Sequence, residues 1–276
     1  MFDVSVSLSP IKSPFSPLLF SGDMEKGFKV VSSLGYSGVD LSLLDSGALD
    51  QAWIVDKTKS CNLKVYTIAT GQTYYNEGFS LYSTEADRRE KAVARIRFHI
   101  DFASRLGAMV IIGGIRGKTE ETGDNQKRTR LEDDGRSAIC RCLRHAEGKK
   151  VTLLLEPINR YETNVINTLE EGVRLIDEIG SENLLLLPDT FHMNIEEKSI
   201  DESLFESKSH IGYIHFSDSN RRAPGFGHLD FKKILSTLEK INYKNAIGIE
   251  ILPEPDDFSA AEQAISHLKK LEEEIA

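Results

Sequence analysis

The sequence predicts an α/β protein, a (β/α)8 TIM barrel with residues 1–276 forming one domain. Three observations lead there. A short apolar run followed by a longer segment of helical periodicity recurs eight times along 276 residues, and a barrel of eight such units typically takes about 250. The composition, 40% hydrophobic and 28% charged, is that of a globular chain with a substantial core. The other architecture built on this alternation, an open doubly wound sheet, is marked by G-x-G-x-x-G after its first strand. Neither "IIGGIRG" nor "APGFGH" has that spacing, so a dinucleotide site is not expected.

Each unit is legible in order. Val4–Leu8 reads as a strand and Met24–Leu34 as its helix. The glycines of "LGYSGVDL" stop that helix before a second strand over 38–41. A helix over 49–60 leads to the strand Lys64–Ala69, then a polar loop, then a long helix over 85–106. The run "GAMVIIGG" carries the fourth strand, 108–112. The charged stretch "RGKTEETGDNQKRTR", 116–130, reads as a long surface loop or lid, followed by a helix ending near Glu147. "VTLLLEP" is the fifth strand, with Leu169–Ile179 its helix. The apolar run 184–187 is the sixth, with a weak helix around Leu204. "GYIHFSD" is the seventh, with a helix over 231–241, and "AIGIEIL" the eighth, with a helix over 260–275. Runs apolar throughout are what strands covered on both faces require.

The net charge of −9 makes the chain a poor default binder of nucleic acid. No apolar run is long enough to span a bilayer, and "MFDVSVSLSP" has no basic region before an apolar stretch. Neither a signal peptide nor a membrane helix is expected. Cys61, Cys140 and Cys142 are odd in number and lack a C-x-x-C spacing. They read as reduced thiols of a cytoplasmic protein.

Chemistry concentrates at the ends of four consecutive strands. The fifth ends in Glu156 and the sixth in Asp189, while the seventh carries His215 and the eighth Glu250. Functional groups of this architecture sit where strands end and the following loops begin. Adjacent strands lie about 4.8 Å apart, so four such ends can converge. Three carboxylates and one imidazole form a mainly oxygen donor set, which favours a divalent ion: Mn2+ first, then Mg2+ or Co2+. The following loops add polar groups: Arg160 and Glu162, His192 and Asn194, then Asp218, Arg221 and His228. A mouth so rich in hydrogen-bonding groups suits a polyhydroxylated small molecule. Phe15, Tyr74, Tyr75 and Arg116 are candidates for the remaining walls.

The stretches "EPINRYETNVINT", "LPDTFHMNIEE", "HFSDSNRRAPGFGHLDF" and "GIEILPEP" together resemble the xylose-isomerase-like sugar epimerases. These include D-tagatose 3-epimerase, D-psicose 3-epimerase and the 5-keto-L-gluconate epimerases. "TIATGQTYYNEG" and "VIIGGIRG" extend the resemblance into the first half and point to the last of these. The key residues are separated by 33 (189−156), 26 (215−189) and 35 (250−215) positions. The resemblance implies that Glu156, Asp189, His215 and Glu250 bind the metal. It implies that Glu156 and Glu250 are also the acid/base pair, and that Glu162, His192 and Arg221 hold substrate oxygens. It further implies a homodimer or homotetramer and a ketose or keto-sugar acid as substrate. The implied reaction inverts the carbon beside the ketone. One glutamate removes its proton to give a cis-enediolate, and the other returns a proton to the opposite face. An aldose–ketose isomerase such as hydroxypyruvate isomerase is the alternative. An endonuclease IV-like phosphodiesterase ranks lower, because that chemistry draws on more histidine ligands and this chain is acidic with seven histidines in all.

Overall fold

The computed structural model describes residues 2–12, 16–119 and 125–275. Eight parallel strands occur among them: β1 (Val4–Leu8), β2 (Gly38–Ser42), β3 (Lys64–Ala69), β4 (Met109–Ile112), β5 (Leu153–Leu155), β6 (Leu184–Leu186), β7 (Ile214–Phe216) and β8 (Ile247–Ile249). Their order is β6-β5-β4-β3-β2-β1-β8-β7. The ring closes between β6 and β7 through parallel bridges joining Leu186 to Ile211 and Asp189 to His215. The helices are α1 (Met24–Leu34), α2 (Gln51–Ser60), α3 (Gly71–Glu77), α4 (Ala86–Leu106), α5 (Asn125–Lys149), α6 (Leu169–Ile179), α7 (Thr190–Glu196), α8 (Ile200–Glu206), α9 (Phe231–Lys240) and α10 (Asp257–Ile275). This is the predicted (β/α)8 barrel.

The two-residue period of a strand explains what lies where. Val4, Val6, Leu8, Val39, Leu41, Leu153, Leu155, Leu184, Leu186, Ile214, Phe216, Ile247 and Ile249 belong to one large buried cluster shared with helix residues such as Phe28, Ile96, Ile176 and Ile265. The alternate positions face inward. Ile111, Leu154, Leu187, Tyr213 and Ala246 form a separate apolar cluster inside the barrel. Beside it, the buried Asp40 accepts hydrogen bonds from Ser5 Oγ at 2.5 Å and Thr67 Oγ1 at 2.7 Å, with Tyr213 Oη at 3.2 Å. Burial pushes the Asp40 carboxyl above its ordinary range, against the pull of His215 and these donors.

Helix ends follow their local chemistry. Thr168 and Glu171 form a reciprocal capping box at the start of α6. Gly35 ends α1 at φ 85°, in the left-handed region where a side chain is disfavoured. Three stretches differ from the sequence reading. Gly71–Glu77 and Thr190–Glu196, read as loops, are helices of 7 residues each. The stretch 116–130 is not a loop throughout, since α5 begins at Asn125. Residues 120–124 of that stretch lie outside the described residues.

His99 is fully buried in α4, and neither ring nitrogen has a hydrogen-bond partner. Burial, with the positive Arg95 nearby, depresses its pKa from 6.5 to about 3. Above pH 6.5 the imidazole is neutral in both folded and unfolded chains. Below it the unfolded chain takes up a proton that the fold excludes, so this contribution to stability is lost as pH falls towards 3. Between pH 7 and pH 5 the wild type should lose about 2 kcal/mol more unfolding free energy than His99→Leu. Denaturant titrations of both proteins at the two pH values measure the difference, and parallel losses would refute it.

Candidate active site

The four strand-end residues are the next inward positions above the barrel's apolar layer. Glu156 is two residues beyond Leu154, Asp189 two beyond Leu187, His215 two beyond Tyr213 and Glu250 two beyond Gly248. Glu156, Asp189 and His215 are 7%, 1% and 1% exposed. One ligand atom from each of the four lies within 4.8 Å of all the others. His215 Nδ1 stands 3.8 Å from Glu156 Oε1, 4.0 Å from Asp189 Oδ2 and 3.7 Å from Glu250 Oε2. Its Nε2 points the other way, 4.0 Å from Asp40 Oδ2.

Three carboxylates this close repel one another, and the site is arranged to meet that cost. Arg221 Nη1 donates to both Asp189 oxygens at 2.8 and 2.7 Å, and its Nη2 donates to Glu250 Oε2. The guanidinium stacks 4.8 Å over the Phe191 ring. Burial pushes the Glu156 carboxyl upward, with Glu250 and Asp189 adding repulsion. Burial also opposes ionisation of Glu250, but Arg221 and His215 outweigh it and hold that carboxyl well below its usual range. For His215, burial disfavours the charged ring, while Glu250, Asp40 and Glu156 outweigh burial and raise its pKa. Both nitrogens of the buried His215 ring lack a hydrogen-bond partner. An orphaned imidazole nitrogen facing three carboxylates fits a divalent cation, and these four residues could hold one.

A cavity of about 590 Å³ opens above the cluster. The ends of β5–β8 and the loops after them supply the acidic and basic groups that line it, while β2–β4 supply room through Ser42, Ala69 and Gly113. Glu162, His192 and Arg221 line the cavity with Glu156 and Glu250. Of the proposed wall residues, Tyr75 lines it and donates to Glu162 Oε2 at 3.1 Å. Tyr74 packs edge-on against Tyr75. Phe15 lies outside the described residues. Arg116 does not reach the wall: its guanidinium is buried, has no hydrogen-bond partner, and is pushed down to about 10 by burial. The other polar loop residues shape the loops. Asp218 accepts from the backbone N–H groups of Ser219, Gly225 and Leu229, and Arg160 pairs with Glu196. His228 is exposed and bonds Ser219 Oγ. Asn194 is half-buried at the end of α7 and does not line the cavity.

Sequence reasoning missed Asp40, Gly113 and Asn159. The signal for Asp40 was an aspartate inside an otherwise apolar strand, "GVDL". Asn159, 2% exposed, bridges Glu162 and His192. Gly113 is the inward position after Ile111, and a Cβ there would lie 2.0 Å from Glu156 Oε2. The colliding atom is the tip of a flexible side chain, so Gly113→Ala should fold normally but displace the carboxylate. A misplacement of about 1 Å costs about 100-fold in rate. The expected outcome is therefore a kcat loss of that order at an unchanged melting temperature. Unimpaired turnover would show that Glu156 need not stand where the structure puts it.

A barrel with an acid-rich cluster at the C-terminal ends of its later strands defines a class, and comparison with known proteins gives it a name. The family model for the xylose isomerase-like TIM barrel matches residues 28–271, and the chain belongs to that family. Among its relatives is L-ribulose 3-epimerase of Methylomonas sp. (strain DH-1), 29% identical over 241 residues, which are 84% of this chain and 82% of that one. D-psicose 3-epimerase of Enterocloster bolteae is 40% identical over 105 residues, 38% of this chain and 35% of that one. The crystal structure of D-allulose 3-epimerase from Methylomonas sp. superimposes with a TM-score of 0.81 at 24% identity, covering 98% of this chain and 99% of that one. That likeness speaks for the fold.

Proposed function

We propose that the chain is a metal-dependent ketose 3-epimerase acting on a free, uncharged ketose. The observation that carries this reading is the pair Glu156 and Glu250, contributed by β5 and β8, whose oxygens converge on one cluster at the floor of a sugar-sized cavity. The relatives named as L-ribulose and D-psicose 3-epimerases support it.

A divalent ion held by Glu156, Asp189, His215 and Glu250 would supply Lewis-acid polarisation of the substrate carbonyl. The chain's own groups do the rest. One glutamate oxygen takes the proton from the carbon beside the ketone, and the other glutamate delivers a proton to the opposite face, which inverts that carbon. Glu162 accepts from, and His192 donates to, substrate oxygens. Arg221 keeps Asp189 and Glu250 ionised and oriented through its forked contacts. The apolar walls Pro17, Leu18, Ile111, Ile158, Phe191 and Leu252 exclude water from the reacting carbon.

The charge of the lining favours a neutral substrate over a sugar acid or phosphate. Arg221 is the only arginine or lysine among the described lining residues, and it already serves two carboxylates. An anionic substrate would bring its charge beside Glu156, Glu162 and Glu250 without a partner.

The test is a panel of free ketopentoses and ketohexoses, a 5-ketohexonate, hydroxypyruvate and ketose phosphates, incubated with Mn2+ and followed by NMR. A free ketose should be epimerised at C3, with kcat/KM at least about tenfold above any acid or phosphate. Turnover confined to an anionic substrate would overturn the reading.

A further inference from the structure

We infer that Asn159 is a positioning residue that sets the hydrogen-bonding polarity of the cavity wall, fixing His192 as a donor and Glu162 as an acceptor. This deepens, and in its kinetic part rests on, the ketose reading above.

The Asn159 carboxamide is buried in the loop after β5. Its Nδ2 lies 2.8 Å from His192 Nδ1 and 2.9 Å from Glu162 Oε1, while its Oδ1 accepts the backbone N–H of Tyr161 at 3.0 Å. These partners settle which end of the amide is which. A backbone N–H only donates and an ionised carboxylate only accepts, so the oxygen faces Tyr161 and the nitrogen faces Glu162. The amide nitrogen has two hydrogens, and both are then committed, one to Glu162 and one to His192.

A histidine nitrogen that faces a donor must offer a lone pair. The Asn159 backbone N–H also points to His192 Nδ1, at 3.5 Å, which reinforces the same choice. The neutral ring therefore carries its proton on Nε2, the nitrogen that Asn159 leaves free. Burial keeps the ring from charging. Glu162 is pinned from the other side by Tyr75 Oη at 3.1 Å. Tyr75, Glu162, Asn159 and His192 thus form one chain along the wall.

The consequence concerns recognition. A ketone oxygen only accepts, whereas a sugar hydroxyl both donates and accepts. A wall presenting an Nε2–H donor beside a carboxylate acceptor matches that pair of neighbouring oxygens. With the opposite tautomer, His192 would present a lone pair to a carbonyl oxygen and repel it. A single buried asparagine decides which wall the substrate meets.

The experiment reads the tautomer directly. The full chain is labelled with 15N-histidine, and its long-range 1H–15N spectrum is recorded at neutral pH without substrate. The His192 signals are assigned by their disappearance in His192→Gln. Wild type should show His192 protonated at Nε2 and bare at Nδ1. Asn159→Asp, which puts an acceptor where the donor was, should move the proton to Nδ1 or charge the ring. Asn159→Ala, left with only the long backbone donor at 3.5 Å, should shift part of the population to the Nδ1–H tautomer. Either variant should lower kcat/KM on a turned-over ketose by about tenfold or more. A wild-type ring protonated at Nδ1, or an Nε2–H signal unchanged in both variants, would overturn the inference. If Asn159→Asp does not fold, the wild-type and Asn159→Ala spectra decide. Because the spectrum needs no substrate, failure of every ketose to react would count against the proposed function alone. A wrong tautomer in an active epimerase would count against the role of Asn159 alone.

Discussion

Glu156→Gln and Glu250→Gln should each lower the rate of overall epimerisation by ~10²- to 10⁴-fold, the range that a positioned acid or base contributes. Both changes should be severe, because inversion needs a group on each face of the carbon. The two variants should differ in stability. Glu156 brings a third negative charge to a cluster in which Arg221 already pairs Asp189 and Glu250, so Glu156→Gln relieves repulsion and should leave the melting temperature unchanged or raise it. Glu250→Gln removes an ion-pair partner from the buried Arg221 and should lower it. Steady-state rates and thermal unfolding of the two variants measure both effects. Near-wild-type turnover in both would remove these residues from the chemistry.

The second large effect is that of metal removal. Chelator-treated protein should stay folded, because the Arg221 guanidinium pairs with two of the three clustered carboxylates. It should lose epimerase activity, and Mn2+ should restore it more fully than Mg2+ or Co2+. Independently of activity, calorimetric titration should show one ion bound per chain. Free ion at 100 times its dissociation constant should raise the unfolding free energy by about 2.7 kcal/mol. Asp189→Asn and His215→Gln should abolish both signals. Binding that survives in both variants would place the ion elsewhere.

How far the sequence foretells this molecule depends on the range of the interaction involved. The eight units are legible because each strand–helix pair carries its own apolar pattern. The four clustered residues are legible because each stands at or near the end of a short apolar run, a local signal that needs no knowledge of the ring's closure. The helices α3 and α7 are not, since 7 residues are too few to display a helical period. The N-cap of α7 is Asp189 itself, whose carboxylate accepts from the N–H of Phe191 at 2.8 Å. The same residue caps a helix and joins the cluster, and only the second role shows as a carboxylate at a strand end. The start of α5 is hidden by the charged run "NQKRTR". Gly113 and Asn159 elude a reading along the chain for another reason. Their meaning lies in what stands opposite them: Glu156 on the neighbouring strand for one, His192 beyond α6 and β6 for the other.

The central claim is that two glutamates exchange a proton with the carbon beside the ketone from opposite faces. It is tested most directly by letting the enzyme act on its ketose in deuterium oxide and locating the label by NMR over many turnovers. The account predicts deuterium at the inverted carbon, C3, in the product. Deuterium only at the terminal carbon beside the carbonyl, as in aldose–ketose isomerisation, or inversion with no solvent hydrogen incorporated, would contradict it.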